Sequence, residues 1–106
     1  MRGGDIIVKR KCNCCRKVFE HGVSANMIIF CPYCKNITGS ISEYGFGPIT
    51  PCDIYLGDQI IGHISNDYFL SSPRFNIQQK LTCGYKDLAA YQETEDILRP
   101  YLAQLK

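Results

Sequence analysis

Four of the seven cysteines in this 106-residue chain fall into two matched pairs. Cys12-Asn13-Cys14-Cys15 reads as Cys12-x2-Cys15, and after fifteen intervening residues Cys31-Pro32-Tyr33-Cys34 repeats the gap. Two residues between cysteines let the backbone turn so that both sulfurs face one ion, and two such pairs make a four-thiolate structural zinc site. Pro32 suits the tight turn, because it fixes φ and needs no backbone donor there. The ligand set expected is Cys12, Cys15, Cys31 and Cys34 around one Zn²⁺. Cys14 could replace Cys12 or Cys15, or stay free, and His21 could also be a ligand, although four thiolates already complete the tetrahedron. A disulfide framework fits less well: the cysteine number is odd, and the N-terminus carries only three apolar residues before Lys9-Arg10-Lys11, which is no secretory signal.

These cysteines need strands to carry them. Ile6-Ile7-Val8 precedes the first knuckle and Ile28-Ile29-Phe30 the second, both extended formers. The predicted order is a strand over Ile6–Lys11, the first knuckle, Val18 and Phe19 packed on the core, a loop over Glu20–Asn26, a return strand over Met27–Phe30, and the second knuckle. Residues 36–51 are rich in Gly, Ser and Pro and read as a boundary, with a short irregular strand at Tyr44 and Phe46. The chain therefore divides into a metal-stapled unit over 1–40 and a small α+β unit over 41–106, packed together. In the second unit, Asp53–Ser65 is a hairpin with Gly57-Asp58 at a type II′ turn, and Gly62 marks a bulge or a close approach. Asn66–Gln79 reads as a turn between two strands or short helical pieces. From about residue 85 to 106 the chain is helical: Leu88, Tyr91, Leu98, Leu102 and Leu105 form one stripe, and Pro100 is expected to break it into two helices. The fold class expected is α+β, with a β-hairpin or small antiparallel sheet and a C-terminal helical segment after the four-cysteine unit.

Charge is uneven. Residues 1–40 carry seven basic and two acidic side chains, and residues 41–106 carry five and eight, so a net +2 hides a basic first half. Lys9, Arg10 and Lys11 enter the first knuckle and Arg16 and Lys17 leave it, a phosphate-facing edge or else a solvated guard against edge pairing. Tyr33 is expected to be exposed inside the second knuckle, where it either stacks on a base or simply faces solvent. No run of apolar residues approaches the length of a membrane span, and thiols kept for metal suggest a reducing cytoplasm.

Over Cys12–Cys34 the chain resembles the zinc-ribbon class. Its second knuckle, Ile28-Ile29-Phe30-Cys31-Pro32-Tyr33-Cys34-Lys35, is similar to that of the Com-type zinc proteins of bacteriophages, small regulators that bind messenger RNA, and the resemblance covers about a third of the chain. Leu88-Ala89-Ala90-Tyr91-Gln92-Glu93-Thr94 resembles a helical phrase of small phage and prophage proteins, with Glu95 where those have glycine. The resemblance implies a phage or mobile-element origin and RNA binding.

Enzyme chemistry is not expected. Four cysteines leave a zinc ion no open position, and no P-loop, His-Glu-x-x-His, Gly-x-Ser-x-Gly or deaminase signature is present. His63 reads as a strand-surface residue, and Cys52 and Cys83 as structural thiols. Two functions stay open: a nucleic-acid module using Lys9, Arg10, Lys11, Arg16, Lys17 and Tyr33, or an inhibitor or adaptor that binds a host protein complex through Tyr68, Phe69, Arg74 and Phe75. An exposed hairpin edge could also support a homodimer.

Overall fold

A computed structural model describes residues 7–23, 26–42, 51–82 and 87–105, apart from the side chains of 39–42, 87, 88 and 91. Within them lie eight strands and one helix: β1 (Ile7–Lys11), β2 (Val18–Gly22), β3 (Asn26–Phe30), β4 (Ile37–Ser42), β5 (Cys52–Leu56), β6 (Gln59–Ile64), β7 (Phe69–Ser72), β8 (Ile77–Lys80) and α1 (Asp87–Ala103). A 3-10 turn at Pro73–Phe75 joins β7 to β8. The class is α+β, in two sheets: β1 with β2, and a six-stranded sheet in the order β4-β3-β5-β6-β7-β8. Ile6, the Tyr44 and Phe46 strand and Cys83 lie outside the described residues.

The large sheet is built on β3. All five of its residues are buried, because it is covered on both faces. Ile28 and Phe30 face α1, in a core with Ile54, Leu70, Leu98 and Leu102. Met27 and Ile29 face the other way, against Phe19 of β2, Tyr55 of β5, Cys12 and Cys31. A strand buried on both faces reads as a continuous apolar run, which is what Met27-Ile28-Ile29-Phe30 is. β3 runs parallel to β5, with Ile28 opposite Ile54 and Phe30 opposite Leu56. That pairing joins the second knuckle hairpin to the rest of the chain; β1 and β2 keep their own sheet, packed on it through Phe19, and β4 runs across residue 40.

Several elements differ from the expectation. Val18 does not pack on the core; it is 56% exposed while Phe19 is buried, because alternate strand residues point to opposite faces. The predicted loop from Glu20 is strand as far as Gly22, and His21 is buried within it. β4 was not expected in a stretch rich in Gly and Ser; as an edge strand paired to buried β3, it takes its order from that partner rather than from propensity. The hairpin over β5 and β6 matches its prediction. Gly57 has φ +60° at the first turn position, and a Cβ there would meet Pro32 at 3.2 Å. The ladder shifts register beside Gly62, whose missing side chain also lets the Ser71 carbonyl approach to 3.1 Å of where a Cβ would stand.

Pro100 does not break the helix. α1 continues through it to Ala103. Proline inside a helix costs ~3 kcal/mol or more, but Leu98 and Leu102 flank it on one stripe and both are fully buried. Burying each contributes about 1.5–3 kcal/mol, and only three helical residues follow Pro100. The stripe also includes Ala90 and Thr94, each fully buried. Thr94 Oγ1 has no hydrogen-bond partner among the described residues. A buried hydroxyl left unpaired costs about 1–3 kcal/mol, so Thr94→Val, which keeps the shape and removes that group, is expected to raise stability by ~1 kcal/mol. Thermal unfolding followed by circular dichroism checks this; a lower melting temperature would mean that the hydroxyl has a partner.

Candidate metal centre

Each cysteine pair forms the turn of one hairpin, Cys12–Cys15 between β1 and β2 and Cys31–Cys34 between β3 and β4. The two turns are built alike. The Cys12 N–H donates to Lys17 O (2.9 Å) and the Arg16 N–H to Cys12 O (3.0 Å); Cys31 N–H donates to Asn36 O (2.9 Å) and Lys35 N–H to Cys31 O (3.0 Å). Arg16 and Lys35, the residues after the second cysteine of each pair, both adopt left-handed φ, 66° and 67°. The N–H groups of Cys14 and Cys15 point at Cys12 Sγ (3.3 and 3.5 Å), and those of Tyr33 and Cys34 at Cys31 Sγ (3.3 and 3.5 Å). This repeat decides between Cys12 and Cys14: Cys12 stands where Cys31 stands, and Cys14 where Tyr33 does.

The sulfurs of Cys12, Cys15, Cys31 and Cys34 lie within 4.8 Å of one another and could hold one metal ion. Cys12 and Cys34 sulfurs are 3.5 Å apart, and those of Cys15 and Cys31 3.7 Å, far beyond the ~2.0 Å of a disulfide. The six described cysteines are all free. The Cys15 N–H, against the opposing effect of burial, draws the Cys12 thiol down to about 6, with the Cys14 N–H and neighbouring thiols helping. At Cys31 burial dominates and pushes the thiol up to about 12 in spite of the Cys34 and Tyr33 N–H groups. A cation would resolve that difference by stabilising all four thiolates as protons leave. Cys14 is exposed, and its Sγ accepts from Asn36 Nδ2 at 3.2 Å. Cys52 belongs to the core under α1, where burial and then Asp53 push its thiol up to about 12.

His21 does not join the cluster. Its Nδ1–H donates to Gly22 O (2.6 Å) and its Nε2 accepts from Arg10 Nε (3.2 Å), so both nitrogens are used. That bond also divides the predicted basic set. Arg10 turns inward, partly buried, while Lys9 and Lys11 project from the other face of the hairpin with Val18 and Glu20. Arg16 is exposed at the knuckle. Lys17 Nζ stands 5.0 Å from the centre of the Tyr33 ring, and Tyr33 is 53% exposed. No sequence signal marked the His21–Arg10 contact, because it depends on which strand face each residue takes.

Of the second predicted surface, Tyr68 is buried and Phe69 is partly exposed. Phe75 packs on Tyr101 with ring centres 5.5 Å apart, and Arg74 donates to Gln59 (2.8 Å). His63 has a partner that the sequence did not reveal: its Nδ1 lies 2.9 Å from Asp53 Oδ1 across the β5–β6 ladder. Ser71 is the next residue in that row, opposite His63 on β7. No hydrogen bond joins Ser71 to His63 among the described residues.

Comparison of the chain with protein families, with curated proteins and with solved structures found no match. Among the described residues no helix is long and apolar enough to cross a membrane.

Proposed function

We propose that the cluster holds one structural Zn²⁺, and that the chain is a small, non-enzymatic zinc-ribbon protein that binds nucleic acid as a regulator. A tetrahedral zinc with Zn–S near 2.3 Å sets its sulfurs about 3.8 Å apart, and the two short sulfur distances, 3.5 and 3.7 Å, suit it. Four thiolates fill the coordination sphere, so the ion holds the fold and leaves no position for a substrate. The observation that carries the nucleic-acid reading is the placement of Lys17 over Tyr33 beside a groove that Lys9 also lines. Cations next to an exposed aromatic are what a phosphate backbone with an unpaired base requires. The resemblance of Ile28–Lys35 to the phage messenger-RNA regulators points the same way.

Fluorescence anisotropy with labelled RNA and DNA at low salt tests this. Lys9→Glu with Lys11→Glu is expected to abolish binding, while metal content and the circular dichroism spectrum stay unchanged. Both lysines are exposed on the outer face of the hairpin. Wild-type affinity in that variant would overturn the reading. The second reading, an inhibitor or adaptor on a host protein complex, would then lead. It is favoured by the exposed apolar residues of the first hairpin: Ile7 and Val8 at 38%, and Val18 at 56%.

A further inference from the structure

We infer that two grooves meeting at Tyr33 form one track for a single-stranded nucleic acid. One base stacks at Tyr33, and phosphates on either side are held by Lys9 in one groove, with Lys17 beside it over the Tyr33 ring, and by Lys35 and Arg99 in the other. The inference rests on the nucleic-acid reading above and adds its substrate class and a second set of contacts.

The first groove runs between the β1–β2 hairpin, the second knuckle and the β5–β6 turn. Its volume is about 420 Å³, and Lys9, Val18, Pro32, Tyr33 and Asp58 line it. The second, of about 500 Å³, lies between the same knuckle and the end of α1, with Tyr33, Lys35, Asn36, Arg99 and Leu105 on its walls. Both fall within the ~300–1,000 Å³ of pockets that take small ligands. The knuckle separates them, and Tyr33 borders both. Lys17 already lies over its ring, and at 53% exposure Tyr33 keeps surface open to a base.

Charge sets the polarity of the track. Glu20 and Asp58 also border the first groove and repel a phosphate. As acceptors only, they favour a base edge that brings N–H donors. Lys9, the one cation among the residues lining this groove, stands opposite Glu20 across the β1–β2 ladder, so a single phosphate is held there. In the second groove Arg99 is bonded to Glu95 (2.7 Å) and Lys35 to the Pro32 carbonyl (2.6 Å). Arg99 has five donors and Lys35 three, so each can hold that partner and a phosphate oxygen together. A base paired within a duplex has no free face for Tyr33, so the track selects single strands.

The test measures anisotropy of a labelled single-stranded RNA hexamer, and of a duplex of the same sequence, over a salt series. Three variants are compared with wild type: Tyr33→Leu, Lys35→Asn with Arg99→Gln, and Lys9→Glu with Lys11→Glu. Asparagine tolerates the left-handed φ that residue 35 requires. Metal content and circular dichroism report on folding. The single strand should bind more tightly than the duplex. Tyr33→Leu should weaken it about 5- to 150-fold. The Lys35 and Arg99 pair should flatten the slope of log affinity against log salt by about 1.4, at ~0.7 per phosphate. If that pair behaves as wild type while the Lys9 and Lys11 reversal abolishes binding, the nucleic-acid reading stands and the track is overturned. Equal binding of duplex also overturns the track. Wild-type protein that binds neither probe overturns both.

Discussion

Cys31→Ser is expected to empty the metal site and to unfold the first hairpin and both knuckles. Metal analysis of wild-type protein should give a ratio near one ion per chain, and of the variant a ratio near zero. Cys14→Ser should keep the wild-type ratio, since Cys14 lies outside the four-sulfur cluster. The effect is large because little else holds this part of the chain. β1 and β2 form a sheet of two strands, marginal on its own in water. The core beneath them consists of Phe19, Met27, Ile29 and Tyr55 with the cysteines themselves. Zinc contributes ~10–16 kcal/mol of apparent folding free energy in small zinc peptides, against about 5–15 kcal/mol for the net stability of a whole domain. Wild-type protein should likewise lose strand signal in circular dichroism when a strong chelator is added. A well-folded chain that carries no metal, or one that binds two ions, would refute the assignment.

Phe30→Ala should cost about 3–5 kcal/mol, the range for an aromatic removed from a packed core. Phe30 is 1% exposed at the end of β3, opposite both Ile37 and Leu56, and its carbonyl accepts the Gly57 N–H at 3.0 Å. The next residue is Cys31, so a cavity here loosens the four-sulfur cluster as well as the sheet. Melting temperature should fall by about 4–8 °C for each kcal/mol lost. The fall should be deeper in chelator than in excess metal, because an ion that binds only the folded state restores stability by mass action. Phe30→Leu, which fills most of the space, should cost under about 1.5 kcal/mol. A loss below ~1 kcal/mol for the alanine variant would contradict the packing of β3 on both faces.

Sequence and structure divide along a physical line. The amino-acid sequence by itself determined what depends on neighbours along the chain. Cys-x2-Cys closes a turn locally, so the four-cysteine cluster was legible from spacing. Gly57-Asp58 between an arm with Ile54 and Leu56 and one with Ile60, Ile61 and Ile64 specified a two-residue hairpin, and Leu98 and Leu102 one turn apart specified a helical face. Tertiary structure alone decided what depends on residues far away. β4 orders on β3, so its glycine and serines carried no strand signal. The parallel pairing of β3 with β5 spans a connection of more than twenty residues, and no local pattern encodes it. Pro100 stays helical because Leu98 and Leu102 are buried against the sheet, and His63 finds Asp53 only once β5 and β6 align. The basic residues make the same point for function. They are contiguous as Lys9-Arg10-Lys11, but a strand alternates its faces, so Arg10 goes to His21 and the groove keeps Lys9. Lys35 and Arg99 lie far apart in sequence and reach one groove because the fold sets the second knuckle and the end of α1 on its two sides.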